Sequence, residues 1–437
     1  MPGLVRQWPA WPEFGTTSAG NKDAKDPDFV GAKKAIIEEY GADSLRKSWI
    51  ATCEKLRSVT DDIASQGSCI IPVLEAENVL ANGFSEHELS QVRETGCFIV
   101  QGVIPHEEVK KLYQDLTQYV ADNRSSIKGW PAETPSILRL YNSPTQNAIR
   151  THPNQLRLQK ILNDLWHDET GETSSDPLIY LDAVRDRPPH QPFLGLGPHI
   201  DAGSLCRWAD PQYRKAYAQI FSGKPEAHDA WDLGARKNAD QDLFHGGAHS
   251  TVLRSFQGWT ALTRAAANEG TLLLVPNLPT TLAYMLLRPF FKPPQQEGDI
   301  MDASKWSLDD SGAFPGTMKP DSQRLSRSSH PHLRLEECLV HVPTMTAGDT
   351  IWWHTDVCHA VDPRHTGSEN ASVVYVPACP TTTINKRYVK KQLESTLAGR
   401  APPDFGAGSG TDESRFKGYQ GHDGINEDAK RALGYDL

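Results

Sequence analysis

The chain has 437 residues, 38% of them hydrophobic and 8% aromatic, with 31 prolines and 33 glycines, a composition that supports a substantial core joined by many turns and long loops. A net charge of −10 without a clustered Lys/Arg stripe argues against a nucleic-acid partner. No stretch reaches the roughly 20 apolar residues of a membrane span and no apolar leader is present, so a cytoplasmic protein without a membrane partner is expected.

Residues 1–30 are rich in Pro, Gly and Asp and are expected to form a surface arm. Residues 31–175 read as a mainly helical region packed on the core: AKKAIIEEYGADSLRKSWIATCEKL has helical spacing, and the run Cys97-Phe98-Ile99-Val100 is a short strand between two helices. From residue 176 to 385 the texture changes to short apolar runs bounded by Pro and Gly, among them PLIYLDAV, GTLLLVPNLP, TIWWHTDVCHAV and ASVVYVPACP. Such runs predict buried strands, and seven or eight of them predict a double-stranded β-helix, or jelly-roll, core within an α+β fold. Two insertions, 207–248 and 286–332, are expected to be helical or loop-like and to lie over a site. Residues 386–437 form a tail, in which Lys386-Arg387 and Lys390-Lys391 read as a solvated helix face. One structural unit is expected. The seven cysteines are odd in number and lack CxxC spacing, so they are expected to be reduced.

His199-Ile200-Asp201 places two potential ligands on one face of a strand, because strand residues two apart point the same way. Far downstream, GDTIWWHTDVCHAVDP offers His354 and His359, five apart and therefore on opposite faces of a regular strand. Two imidazoles and one carboxylate are the donor set of a 2-His-1-carboxylate iron(II) site, which leaves positions open for a co-substrate and dioxygen. His245 and His249 also have metal-like spacing, but the intervening glycines argue for a loop.

GPHIDAGS, QGWTALTRAAANEGTLLLVPN and AGDTIWWHTDVCHAVDP, preceded by GCFIVQGVIPHEEVKKL, resemble the phytanoyl-CoA-dioxygenase-like branch of iron(II)/2-oxoglutarate oxygenases. More narrowly they resemble its bacterial and fungal subgroup first named as a domain of unknown function, over roughly residues 85–385. The resemblance implies His199, Asp201 and His359 as ligands of Fe(2+), with His354 left to packing or support beside Trp353. It also implies decarboxylation of 2-oxoglutarate to succinate, coupled to oxidation of a small-molecule substrate by dioxygen. Some members of the subgroup act on free amino acids, so a small polar substrate, a free amino acid or other small carboxylic acid, is expected, with hydroxylation or oxidative cyclisation as the outcome.

The distal carboxylate of 2-oxoglutarate calls for a cation, usually an arginine about ten residues beyond the metal histidine, but Asn370-Ala371-Ser372 stand there. Arg254 is the first candidate anchor, then Arg207 and Arg364, with an ordinary salt bridge as the competing role for each. Gln257 and Trp259, in the same run as Arg254, are expected on the face opposite to it, Gln257 able to hydrogen-bond a carboxylate and Trp259 serving the pocket or the core. A cupin-like metal-dependent oxygenase or isomerase that uses no 2-oxoglutarate is the alternative, kept open by the missing arginine.

Overall fold

The computed structural model describes residues 5, 7–13, 25–191, 195–201, 203–246, 250–319, 321–405 and 412–437. Eight short strands alternate between two sheets: β1 (Val184–Arg187), β2 (Leu196–Ile200), β3 (Phe256–Ala261), β4 (Leu272–Leu274), β5 (Val340–His341), β6 (Thr350–His354), β7 (His359–Val361) and β8 (Ala371–Tyr375). The larger sheet sets β6, β3, β8 and β1 side by side, the smaller sets β2, β7, β4 and β5. All neighbours in these two sets are antiparallel. Consecutive strands change sheet at every step except β4 to β5. Among the described residues neither sheet closes on itself, so the fold is a mixed α+β arrangement with open antiparallel sheets.

The region read as mainly helical also builds the larger sheet. Cys97–Gln101 pairs with β6 and carries Val73–Glu75 in parallel on its far side, while Ile137–Leu138 and Gly129–Trp130 extend the opposite edge beyond β1. Four residues or fewer are too short to show a period, which is why three of these four strands were invisible to pattern. Helices Pro27–Tyr40 and Ala42–Gln66 are separated by Gly41 at φ +84°. In the second helix Leu45, Trp49, Leu56, Val59 and Ile63 are buried, a spacing that lays one apolar stripe on the body. Trp49 stacks on Phe291 at 4.7 Å between ring centroids.

The insertions are packed parts of the fold. Residues 207–248 include the short helices Pro211–Ala216 and Leu233–Arg236 and bury Tyr213, Tyr217 and Phe221 completely. Within 286–332, Gln323–Arg324 adds an edge strand to β2, with Gln323 opposite Ile200 and Arg324 opposite His199. Lys33 reaches into this second insertion, donating to the carbonyls of Pro289 at 2.6 Å and Ala313 at 2.8 Å and pairing with Asp309 at 3.2 Å. Helix Thr383–Leu397 exposes Lys386, Arg387, Lys390 and Lys391 and buries Tyr388 and Val389, as the solvated-face reading requires. All seven cysteines are unpaired, and no helix among the described residues is long and apolar enough to cross a membrane.

Candidate metal centre

The segment TIWWHTDVCHAV forms two strands, not one. β6 ends at His354, the chain turns through residues 355–358, and β7 begins at His359 in the other sheet. The two histidines are therefore separated by a sheet change rather than by alternation along a single strand. His354 lies in a buried aromatic cage, stacked on Trp166 at 4.7 Å with its Nε2 near the Ala230 carbonyl at 3.0 Å, and it does not line the cavity described below.

β7 pairs with β2 so that His359 is directly opposite His199, which brings their ring centroids to 4.2 Å. Asp201, just past the end of β2, lies 3.6 Å from His199 Nε2 through Oδ1 and 3.5 Å from His359 Nε2 through Oδ2. One candidate ligand atom from each of the three residues lies within 4.8 Å of the others. Each imidazole is oriented by its other nitrogen: His199 Nδ1 is 2.7 Å from the Gly197 carbonyl and His359 Nδ1 is 3.1 Å from the Val357 carbonyl. A carbonyl only accepts, so both Nδ1 atoms carry the proton and both Nε2 atoms present lone pairs toward Asp201. Burial, then the neighbouring His359 ring, pushes the His199 imidazole down to about 3, so it is neutral and able to ligate at ordinary pH.

Asp201 is held by two side chains. Ser322 Oγ donates to Oδ1 at 3.1 Å. With its amide oriented to satisfy both neighbours, Gln257 donates to Oδ2 at 2.8 Å and accepts from Trp353 Nε1 at 3.3 Å. Burial alone would raise the Asp201 carboxyl, but positive charge facing it, from Arg254 and from the imidazoles when protonated, outweighs burial and holds the group well below the usual carboxylate range; a bound cation would take the place of the imidazole protons. The backbone carbonyl of Asp201 accepts from Arg207 Nη2 at 2.7 Å. A donor set of two oriented imidazoles and one fixed, ionised carboxylate is the set that suits iron(II).

The three residues border a cavity of about 340 Å³ lined from both sheets, including Leu272 and Val361 on one side and Gln257, Trp259, Trp353, Tyr375 and Arg185 on the other. That volume lies at the small end of the range for small-molecule sites. Of the three arginines singled out in the sequence, Arg254 faces this cavity. It precedes β3 and so escapes strand alternation, which is why it lines the same space as Gln257 and Trp259 instead of the opposite face. Arg207 is fully buried in a different setting, paired with Asp356 at 3.4 Å, while Arg236 pairs with the same carboxylate at 2.6 Å. Arg364 is exposed and donates to Gln7 at 2.6 Å. Neither lines the cavity; sequence position brought both near a ligand, and tertiary pairing took their guanidinium groups elsewhere. His245 sits in an exposed loop beside Asp242, and His249 lies outside the described residues.

Sequence reasoning missed Ser322, Arg185 and Asp182. Ser322 comes from a polar insertion with no motif, and only the pairing of Gln323 with Ile200 carries it to Asp201. Arg185 could have been found from the alternation in Val184–Arg187, which places it on the same face as its cross-strand partner Val373.

A curated relative, the uncharacterized protein YbiU of Escherichia coli (strain K12), is 31% identical over 403 residues, spanning 87% of this chain and 91% of its own. The crystal structure of GlcNAc Inducible Gene 2, GIG2 (DUF1479), from Candida albicans matches with a TM-score of 0.83 at 26% identity, covering 94% of this chain and 89% of that one. A Salmonella typhimurium LT2 protein, provisionally designated an oxidoreductase, matches with a TM-score of 0.80 at 27% identity, covering 96% and 99%. Two of these relatives carry the names YbiU and GIG2 and none is named a phytanoyl-CoA dioxygenase, which narrows the resemblance drawn from the motifs. The model of the Gig2-like family matches residues 24–435, and the chain belongs to that family.

Proposed function

We propose that this protein is a non-haem Fe(II)/2-oxoglutarate-dependent oxygenase acting on a small polar substrate, a free amino acid or other small carboxylic acid, by hydroxylation or oxidative cyclisation. The observation that carries this reading is the convergence of His199, Asp201 and His359 with both Nε2 lone pairs directed at one carboxylate. The strand alternation between the two facing sheets is read as a double-stranded β-helix, the architecture in which such a triad sits at the mouth of a ligand cavity.

His199, Asp201 and His359 would hold the iron, which when bound supplies the activation of dioxygen and the decarboxylation of 2-oxoglutarate. The chain's own contribution is placement and exclusion. Gln257 and Ser322 fix the carboxylate, and Trp353 and Trp259, each 4% exposed, form an apolar wall that keeps water from the reacting atoms. The cavity also supplies cations for a dicarboxylate, Arg254 and Arg185, although the strand position after His359 lacks one.

The test is succinate formation from 2-oxoglutarate under air with iron(II) and ascorbate, screened against L-amino acids and other small carboxylic acids. We expect stimulation by one panel member, its loss in His199→Ala, Asp201→Ala and His359→Ala, and retained iron binding in His354→Ala. Bound iron with no succinate under any condition would favour the metal-dependent enzyme that uses no 2-oxoglutarate.

A further inference from the structure

Three arginines line the cavity, Arg139, Arg185 and Arg254; Arg139 is exposed, and the other two lie at opposite ends, their positions following from the sheet register. On β3, Gln257 pairs with Trp353 and reaches Asp201, so it marks the level of the candidate metal. Four residues along, Ala261 pairs with Val373, which in turn pairs with Arg185 on β1. At about 3.3 Å per residue the backbone of Arg185 lies ~13 Å along the sheet from that of Gln257. Its Nη2 donates to the carbonyl of Gly270 at 2.6 Å, two residues beyond Leu272, which pairs with Val361, whereas Leu274 pairs with His359. Both sheets therefore place Arg185 at the end of the cavity away from the metal ligands. Arg254 lies three residues before Gln257, on the other side of the Asp201 level, with its guanidinium 6.0 Å from the Tyr180 ring and Asp182 lining the same end.

Resting on the oxygenase reading, we propose that Arg185, not Arg254, anchors the distal carboxylate of 2-oxoglutarate, and that Arg254 binds a carboxylate of the substrate being oxidised. A 2-oxo acid held at the metal by its oxo-acid end would extend its far carboxylate away from the ligands by the length of a five-carbon chain, where a cation on the inner face at the β1/β8 end would receive it. Arg185 is that cation, supplied by the strand beside the one on which the arginine was expected. Among the described residues it makes no ion pair, its hydrogen bond going to the neutral Gly270 carbonyl, and burial pulls its guanidinium below its ordinary value. An uncompensated buried cation of this kind is stabilised by a bound anion. Arg254 also makes no ion pair among the described residues, its Nε is buried without a hydrogen-bond partner, and the carboxylates of Asp201 and Asp182 both act on its charge. An acidic group next to a guanidinium that makes no ion pair favours a ligand with a carboxylate and a neighbouring donor over a second plain dicarboxylate.

The experiment is anaerobic calorimetric titration of 2-oxoglutarate into the Mn(II)-loaded full chain for wild type, Arg185→Met, Arg185→Lys and Arg254→Met. Metal stoichiometry and circular dichroism are read alongside to show that each variant is folded and loaded. We expect 2-oxoglutarate affinity to fall at least about 100-fold in Arg185→Met, to recover partly in Arg185→Lys, and to stay within about threefold of wild type in Arg254→Met, consistent with loss of a charge-assisted bidentate contact in the first alone. In the succinate assay, Arg254→Met should lose the stimulation by carboxylic acids of the panel that wild type shows. Retained affinity in Arg185→Met with loss in Arg254→Met would overturn the assignment. Wild-type protein that binds Mn(II) but no 2-oxoglutarate would instead remove the oxygenase reading itself.

Discussion

Asp201 is the residue on which the site depends most closely, because its two carboxylate oxygens face two imidazoles and are each fixed by a separate donor, Ser322 and Gln257. Supporting hydrogen bonds of this kind orient a metal ligand, and losing one typically costs 10- to 100-fold in metal affinity. Gln257→Leu and Ser322→Ala should each weaken Mn(II) binding by about that factor without changing the circular dichroism spectrum, since neither removes a ligand. Affinity unchanged in both would show that Asp201 needs no such support. His199, Asp201 and Gln257 were readable because strand spacing and chemistry coincide in GPHIDAGS and QGW. Ser322 was not, because its role is created by a strand pairing between residues far apart in the chain.

At the scale of elements, the turn between β6 and β7 decides which histidine reaches the site. Reading TIWWHTDVCHAV as one strand put His354 and His359 on opposite faces, and the conclusion that one alone approaches the metal survives for a different reason, the change of sheet at residues 355–358. Gly258 shows how tightly β3 and β6 pair: a Cβ there would lie 2.5 Å from the Trp352 ring, directly across the ladder. Gly195 is equally constrained at the start of β2, with φ +74° and the Val361 carbonyl 2.3 Å from where a Cβ would stand. The second insertion is held by Lys33, whose ammonium burial pulls down to about 8 while Asp309 favours its charge. Lys33→Met would leave Asp309 without that partner and should cost roughly 3–5 kcal/mol of stability, seen as a fall in the urea midpoint that Lys33→Met/Asp309→Asn partly restores. An unchanged midpoint in the single variant would mean that the insertion is secured elsewhere.

Across the whole molecule, the site draws on both sheets and on the N-terminal region that extends one of them. β2 and β7 bring the ligands together, β3 and β6 fix the carboxylate and wall the cavity, and the N-terminal region adds strands to the same larger sheet. The division at residue 176 was a change of texture in the sequence, not a boundary in the sheets, because short pairing segments carry little periodicity of their own. Apolar runs bounded by Pro or Gly were legible, but β1 is the charged stretch Val184–Arg187 that starts at the last residue of the run PLIYLDAV, and TIWWHTDVCHAV divides into β6 and β7; the order of the strands in two sheets was not legible, being set by pairings distant in sequence. The measurement that bears most directly on the central claim is anaerobic titration of Fe(II) into metal-free wild type and into His199→Ala, Asp201→Ala and His359→Ala, with folding checked in each. One tightly bound iron per wild-type chain and its loss in all three folded variants is the predicted result. Iron retained undiminished by the variants, or no iron bound by the folded wild type, would contradict the assignment of this centre.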